Sequence, residues 1–196
     1  MIYDSITLEP PDEPWWELYR EFFPGSLIDY VAAEHHATTV QAFHGSVFPL
    51  PLQPLAYLRA VLECYRGEFS DVEIERAVGF RIKRQQGFYR PGRTITFLID
   101  ATVPAREIGS AKITQAAFNA AQRVHASGRA KVLKVPGLYT GECTSFSIFT
   151  LDGKTVVFES DEEKLWEVTD DERKKKLIDR FKKFEEELAR ALTERL

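Results

Sequence analysis

The apolar positions in the first third of the chain recur at helical spacing between breaks made by proline and glycine. Trp15, Tyr19 and Phe22 stand at positions i, i+4 and i+7, which places them on one face of a helix over residues 13–23. Further stretches of the same spacing follow, separated by proline and glycine residues. The pattern therefore predicts an N-terminal helical layer over about residues 13–67.

From residue 72 the pattern changes to an alternation of apolar and polar residues, which is typical of a half-buried strand. This alternation predicts a strand over residues 72–83, and a run of β-branched and aromatic residues predicts another over 94–103. A turn over Gly87–Gly92 joins them, so we expect a long hairpin with a basic tip. A looser alternation over residues 2–8 predicts a short strand at the start of the chain.

The second half of the chain combines one small-residue helix with short strands. Alanines line the apolar face of a helix predicted over residues 110–127, and their small size lets a helix approach a sheet closely. Further strands are predicted over residues 131–135, 146–150 and 155–159. The last two flank Asp152-Gly153, a dipeptide that favours a tight hairpin turn.

The order of these elements predicts an α+β fold with a single domain over residues 1–168. We expect an antiparallel sheet over about residues 72–159, with the Ala-rich helix packed on it. The last segment, residues 169–196, begins with a capping box from Thr169 to Glu172 and continues as an amphipathic helix. This helix packs on the domain or, alternatively, pairs with a second copy to form a homodimer.

Charge is distributed unevenly along the chain, although the net charge is only −4. Residues 1–79 hold 4 Lys/Arg and 13 Asp/Glu, whereas residues 80–134 hold 11 Lys/Arg and 2 Asp/Glu. A basic block inside an acidic chain indicates contact with a polyanion. The alternative is that the block pairs with the chain's own acidic first third.

Cations and aromatic residues are interleaved around the predicted hairpin tip. Phosphate contact needs guanidinium and ammonium groups, and stacking on unpaired bases needs ring faces. We therefore predict a non-enzymatic nucleic-acid-binding or accessory protein. The residues predicted to bind nucleic acid are Arg81, Lys83, Arg84, Phe88, Tyr89, Arg90 and Arg93.

Two other functions stay open. The acidic aromatic N-terminus and the basic middle suit a protein partner, which would make the chain an interaction adaptor. Alternatively, an Ala-rich helix wrapped by a sheet is typical of a hot-dog-like acyl-thioester enzyme or small-ligand binder. That alternative predicts an apolar cavity beside the helix over residues 110–127. Because this helix carries no carboxylate to act as a general base, we assign no catalytic residue.

Composition excludes several further classes of protein. No apolar run is long enough to span a bilayer and the N-terminus lacks a signal-peptide pattern, so we expect a cytoplasmic protein without membrane contact. Cys64 and Cys143 stand apart from other ligand types, and His35, His36 and His44 lack the spacing of metal ligands. We therefore expect neither a cofactor nor a metal site.

Overall fold

The computed structural model describes residues 14–64, 67–135, 145–161 and 164–193. Within these ranges the helices are α1 (Gly25–His36), α2 (Leu55–Glu63), α3 (Asp71–Gln86), α4 (Ala111–Ala126) and α5 (Asp171–Thr193). The strands are β1 (Thr39–His44), β2 (Thr94–Asp100), β3 (Lys131–Val135), β4 (Ser145–Leu151), β5 (Lys154–Ser160) and β6 (Leu165–Glu167). None of these helices is both long and apolar enough to cross a membrane. The strand predicted over residues 2–8 lies outside the described residues.

The six strands form one mixed sheet in the order β3-β2-β1-β4-β5-β6. Strands β1, β2 and β3 run parallel, whereas β4, β5 and β6 form an antiparallel meander on the other side of β1. Parallel neighbours need crossover connections. Helices α2 and α3 connect β1 to β2, and α4 connects β2 to β3. The α+β class is confirmed, but the prediction of an antiparallel sheet is wrong, because the unpredicted strand β1 makes β2 a parallel partner.

The sheet lies between two helical layers, because successive side chains of a strand point to opposite faces. In β2, Phe97 and Ile99 pack into the core on the side of α1 to α4, whereas Leu98 packs on the side of α5. Phe181 and Phe184 of α5 are buried against that second side. Coverage on both faces explains why every residue of β2 from Ile95 to Asp100 is buried. Helix α5 therefore packs on the domain, and self-association through residues 169–196 stays a prediction.

The strand predicted over residues 72–83 is wrong, since this segment belongs to helix α3. Ser70 and Glu73 form a capping box, in which the Glu73 carboxylate accepts a hydrogen bond of 2.8 Å from the Ser70 backbone N–H. This box satisfies backbone donors at the helix start and favours the helix over a strand. Ile74 and Val78, one helical turn apart, supply its buried face. The alternation in the sequence is compatible with both structures, and the cap decides between them.

The helix predicted over residues 13–23 is reduced to a short 3-10 helix at Trp15–Tyr19. Trp15 is buried, but Phe22 is 43% exposed, so the predicted aromatic face does not act as one stripe. Pro24 then precedes α1 and marks its start.

The strongest local signals of the second half are confirmed. Helix α4 begins with a cap at Ser110, whose hydroxyl accepts a hydrogen bond from the Ile113 backbone N–H at 3.3 Å. The β4–β5 turn places Asp152 at φ 46° and Gly153 at φ 78°, the left-handed conformation that this tight turn requires. At α5, Asp170 provides the cap in place of Thr169, and its carboxylate accepts from the Arg173 backbone N–H at 2.7 Å.

Candidate functional site

Part of the basic block packs against the C-terminal end of α1, and Arg84 forms a buried ion pair there. Its guanidinium donates two hydrogen bonds of 2.6 Å to the Glu34 carboxylate, and the two side chains are only 13% and 6% exposed. The same guanidinium lies 4.8 Å from the centre of the Tyr30 ring. Burial opposes the charge of Arg84, but Glu34 outweighs this effect and raises the pKa of the guanidinium. Arg84 is therefore held in an internal ion pair.

Arg90 and Arg93 bind backbone carbonyl groups at the C-terminal end of α1. Arg93 donates hydrogen bonds of 2.6–3.0 Å to three carbonyl oxygens there and one of 2.7 Å to the carbonyl of Phe88. Arg90 donates to the carbonyl of Ala37 at 3.1 Å. A helix C-terminus has unpaired carbonyl groups and a partial negative charge, which a guanidinium satisfies. The two arginines therefore cap α1.

The two aromatic residues of the predicted nucleic-acid site pack inward. Phe88 is 2% exposed and stacks on Phe97 of β2, with ring centres 5.8 Å apart. Tyr89 is half-buried, and its hydroxyl donates to the Pro51 carbonyl at 3.2 Å. Burial raises the pKa of Tyr89. Both rings belong to the main core or its margin.

Arg81 and Lys83 lie half-buried on α3 and not on a hairpin. Two residues along a helix correspond to a rotation of about 200°, so these side chains leave α3 in different directions. The Lys83 ammonium lies 5.4 Å from the centre of the Trp15 ring. The hairpin prediction is therefore wrong, because its first predicted strand is part of helix α3 and the arginines of its predicted tip bind to the end of α1. The seven predicted residues do not share one outward surface, and nucleic-acid binding stays a prediction.

The histidines near the end of α1 are structural groups. The rings of His35 and His36 contact Trp16, with centres 4.7 Å and 5.6 Å from it. Burial and, to a smaller extent, Arg90 lower the pKa of His35 to about 4. Burial also lowers the pKa of His44, at the end of β1, to about 3. Both imidazoles are therefore neutral at neutral pH. Across the described ranges, no group of three His, Cys, Asp or Glu side chains is arranged to hold a metal ion.

A different part of the molecule has the shape of a binding site. A cavity of about 270 Å³, which we call the α4 cavity, lies between α4 and strands β2 and β3. Its apolar walls are formed by Phe48, Ile99, Pro104, Phe118, Ala121 and Val132. The cavity exists where the small side chain of Ala121 faces the sheet and leaves the space beneath α4 unfilled.

The polar lining of the α4 cavity consists of Gln122, His125 and Lys134. His125 accepts a hydrogen bond at Nδ1 from the backbone N–H of Val132, at 3.2 Å. A neutral imidazole that accepts at Nδ1 carries its hydrogen at Nε2. His125, Lys134 and the Gln122 amide can therefore each donate a hydrogen bond. Apolar walls with a few polar groups at one side are the usual composition of a ligand site.

The sequence pattern places Phe118, Gln122 and His125 on one polar face of the helix that covers this cavity, but it does not indicate the strand residues that complete the lining. The available signal was the pairing of small residues at Ala117 and Ala121 with the larger Phe118 on the same helix. Small residues on the face of a helix either let it approach the sheet or leave a gap there. Which of the two happens depends on the partner strand. In this protein Ala117 is fully buried, whereas Ala121 borders the cavity.

Residues 27–194 match a protein family described as a domain of unknown function (DUF5753). The chain belongs to this family. The matched range runs from α1 to α5 and includes every wall of the α4 cavity. No curated protein and no solved structure matches the chain. The family description states no activity, and the function therefore rests on the chemistry of the site.

Proposed function

We propose that this domain is a non-enzymatic binding module that anchors an apolar group of its ligand in the α4 cavity. The cavity supports the proposal because it joins apolar walls to hydrogen-bond donors on one side. It also lies beside the Ala-rich helix, where the small-ligand alternative expects a cavity. The adaptor alternative is compatible with this function, because a protein partner can supply the apolar group.

The volume of the cavity limits what it can hold. Cavities that enclose a whole drug-sized molecule measure roughly 300–1,000 Å³, and the α4 cavity is slightly smaller at about 270 Å³. It suits one aromatic ring system or one branched aliphatic group. Burying such a group contributes about 1.5–3 kcal/mol, which is less than the roughly 4 kcal/mol of a millimolar complex. The ligand must therefore make further contacts outside the cavity.

The polar groups of the cavity suit binding better than catalysis. Acyl chemistry needs a general base within hydrogen-bond reach of the reacting atoms. The described lining contains no carboxylate, and Nδ1 of His125 is already bonded to Val132. The fold also departs from a hot-dog-like arrangement, since α4 is one of several helices on a partly parallel sheet that does not wrap around it.

The proposal is tested by filling the cavity. N-phenyl-1-naphthylamine, an uncharged apolar dye whose fluorescence rises on burial, is titrated into the unmodified chain and two variants. Ala121→Met extends a longer side chain into the cavity, and we expect it to weaken dye binding at least tenfold. Ala120→Met makes the same change one position earlier on α4, at a residue outside the lining, and we expect dye affinity to stay unchanged.

Two results would contradict the proposal. The first is the absence of saturable dye binding to the unmodified chain. The second is an equal loss of affinity in both variants, which would indicate a general effect on α4. Circular dichroism of each variant checks that α4 is folded before the affinities are compared.

A further inference from the structure

The outer edge of β3 lies beside the α4 cavity, and it offers the further contacts that the ligand needs. We propose that the ligand is an acidic peptide segment that adds as an extra strand to this edge and inserts one apolar side chain into the α4 cavity. This inference rests on the proposed function and names the ligand class for the same site. Strand addition to a sheet edge is a general mode of peptide recognition, in which backbone hydrogen bonds give affinity and side-chain pockets give specificity.

The backbone direction of β3 supports strand addition. Among the strands of the described residues, β3 is the outermost on its side of the sheet. The carbonyl of Val135 accepts a hydrogen bond from Ala101 at 2.9 Å and therefore faces β2. Because backbone groups alternate along a strand, the N–H and C=O groups of Val132 and Lys134 face away from β2. This direction agrees with the bond from the Val132 N–H to His125.

The outward-facing groups form a short template for pairing. The N–H of Val132 already donates a hydrogen bond to the side chain of His125. Among the described residues, no strand pairs with the C=O of Val132 or with the N–H and C=O of Lys134. An extended peptide can satisfy all three of these groups. Its side chains on the α4 side would then lie over the cavity that Val132 and Lys134 line.

The charges along β3 favour an acidic peptide. Lys134 lines the cavity on the α4 side, whereas Lys131 points to the α5 side and lies 3.4 Å from the Glu185 carboxylate. Lysines on an edge strand discourage pairing with another apolar strand. A carboxylate placed opposite Lys134 on an added strand is stabilising, because cross-strand pairs of opposite charge attract. A second copy of β3 would instead bring the lysines of both copies together.

Amide hydrogen exchange measured by NMR tests the proposal at single residues. The probe is an acetylated and amidated peptide, Thr-Glu-Val-Phe-Val-Glu-Thr, in which the phenylalanine and both glutamates share one face of the extended strand, and the control peptide carries Lys at each acidic position. In the free chain we expect fast exchange at the Lys134 amide and slow exchange at the Leu133 amide, which faces β2. The acidic peptide should slow exchange at Lys134 at least tenfold and leave Leu133 unchanged, whereas the basic peptide should change neither.

Charge variants test the recognition of carboxylates. We expect Lys134→Glu to weaken binding of the acidic peptide at least tenfold. Lys154→Glu makes the same change at an exposed residue of the β4–β5 turn, far from β3, and should leave the peptide affinity unchanged. Equal affinity for the acidic and basic peptides would overturn the proposal.

The outcomes separate this inference from the proposed function. If the dye binds the cavity but the acidic peptide does not protect Lys134, only the strand addition is overturned. If neither the dye nor the peptide binds, both fail. Protection of Lys134 in the free chain also overturns the inference, because the edge is then covered by the chain itself or by a second copy. Loss of that protection on dilution would identify the second copy.

Discussion

The junction of α1 and α3 and the outer edge of β3 use charge in opposite ways. At the junction, Arg84 pairs with a buried carboxylate, and Arg90 and Arg93 bind backbone carbonyls. At the edge, Lys134 stands beside an open cavity and carries backbone groups that face outward. The junction has the higher density of cations, but its cations hold the fold together. At the edge, Lys131 contacts Glu185 of α5, and Lys134 is the cation that we propose meets a partner.

This difference shows that the availability of a charged group is set by its neighbours in space. A guanidinium has five donors, and a helix end and a carboxylate together can occupy most of them. The sequence reveals how many cations a segment holds, but most of the acceptors of Arg84, Arg90 and Arg93 lie 50 or more residues earlier in the chain. The following experiments test whether the junction is structural and the edge is open.

The largest effect is expected from breaking the buried ion pair. Glu34→Gln removes the charge that compensates Arg84, and an uncompensated buried charge costs about 3–5 kcal/mol of unfolding free energy. Urea unfolding measures this loss. Glu75→Gln removes a carboxylate from the exposed Arg59–Glu75 pair and should leave stability nearly unchanged. Equal effects of the two variants would show that the junction is no different from the surface.

A smaller loss is expected at Arg93. Arg93→Met leaves three carbonyl groups without their guanidinium donor, since the fourth, that of Ala37, keeps Arg90, and it should lower the unfolding free energy by about 2–3 kcal/mol. Arg93→Lys keeps the charge but loses the fork of donors, so it should restore only part of the stability. A role in phosphate contact makes the opposite prediction. In that case Arg93→Met would lower the salt dependence of oligonucleotide binding by about one phosphate contact and leave stability unchanged.

The pH dependence of stability probes the same junction. The pKa of His35 is lowered to about 4 in the folded chain, from an ordinary value of 6.5. Between these values the unfolded chain binds a proton that the folded chain does not, so stability falls as the pH is lowered through this window and is constant above it. The loss is on the order of 1–2 kcal/mol, because His35 is only half-buried. His35→Gln should reduce the slope of this part of the profile of thermal unfolding against pH, and the remaining slope comes from His44, whose pKa is lowered to about 3. An unchanged profile would contradict the assignment.

The smallest effect distinguishes the open side of α4 from its closed side. Ala121→Met places atoms in existing space and should raise the unfolding free energy by about 0.5–1 kcal/mol. Ala117→Met makes the same change at a fully buried position and should lower it by about 1–3 kcal/mol through overpacking. Thermal unfolding of both variants gives the two signs. A loss at Ala121 as large as that at Ala117 would mean that no usable space exists beneath α4.

The elements that the sequence predicts well are those with a strong local signal. Helix α4 has a serine cap and a long periodic face, and the β4–β5 hairpin has an Asp-Gly turn. The sequence did not predict strand β1, because its six residues have a weak pattern and their strand conformation depends on pairing with β2 and β4. Helix α3 was misassigned because apolar positions at 72, 74, 80 and 82 satisfy a strand pattern, while the capping box at Ser70 was overlooked.

The same distinction between local signals and long-range contacts applies to the candidate site. Its covering helix was predictable, and the small-ligand alternative expected a cavity beside that helix, but the size of the cavity and the strand residues that line it depend on the distance between α4 and a strand that follows it in the chain. The direction of the backbone at Lys134 likewise requires the register of β3 on β2. The contacts of the arginines in the basic block could not be predicted either, because they depend on where the C-terminal end of α1 lies in the fold.

The sequence by itself determined the class of the fold, helices α4 and α5 and the β4–β5 hairpin, because these follow from periodicity, caps and turns within a few residues. Only the tertiary structure decided which cations are occupied and which edge is open. Hydrogen bonds and ion pairs depend on atoms within a few ångströms, and the partners of Arg84 and Arg93 are far away in the sequence. Local patterns therefore predicted the elements of this protein, and long-range contacts determined what those elements offer to a ligand.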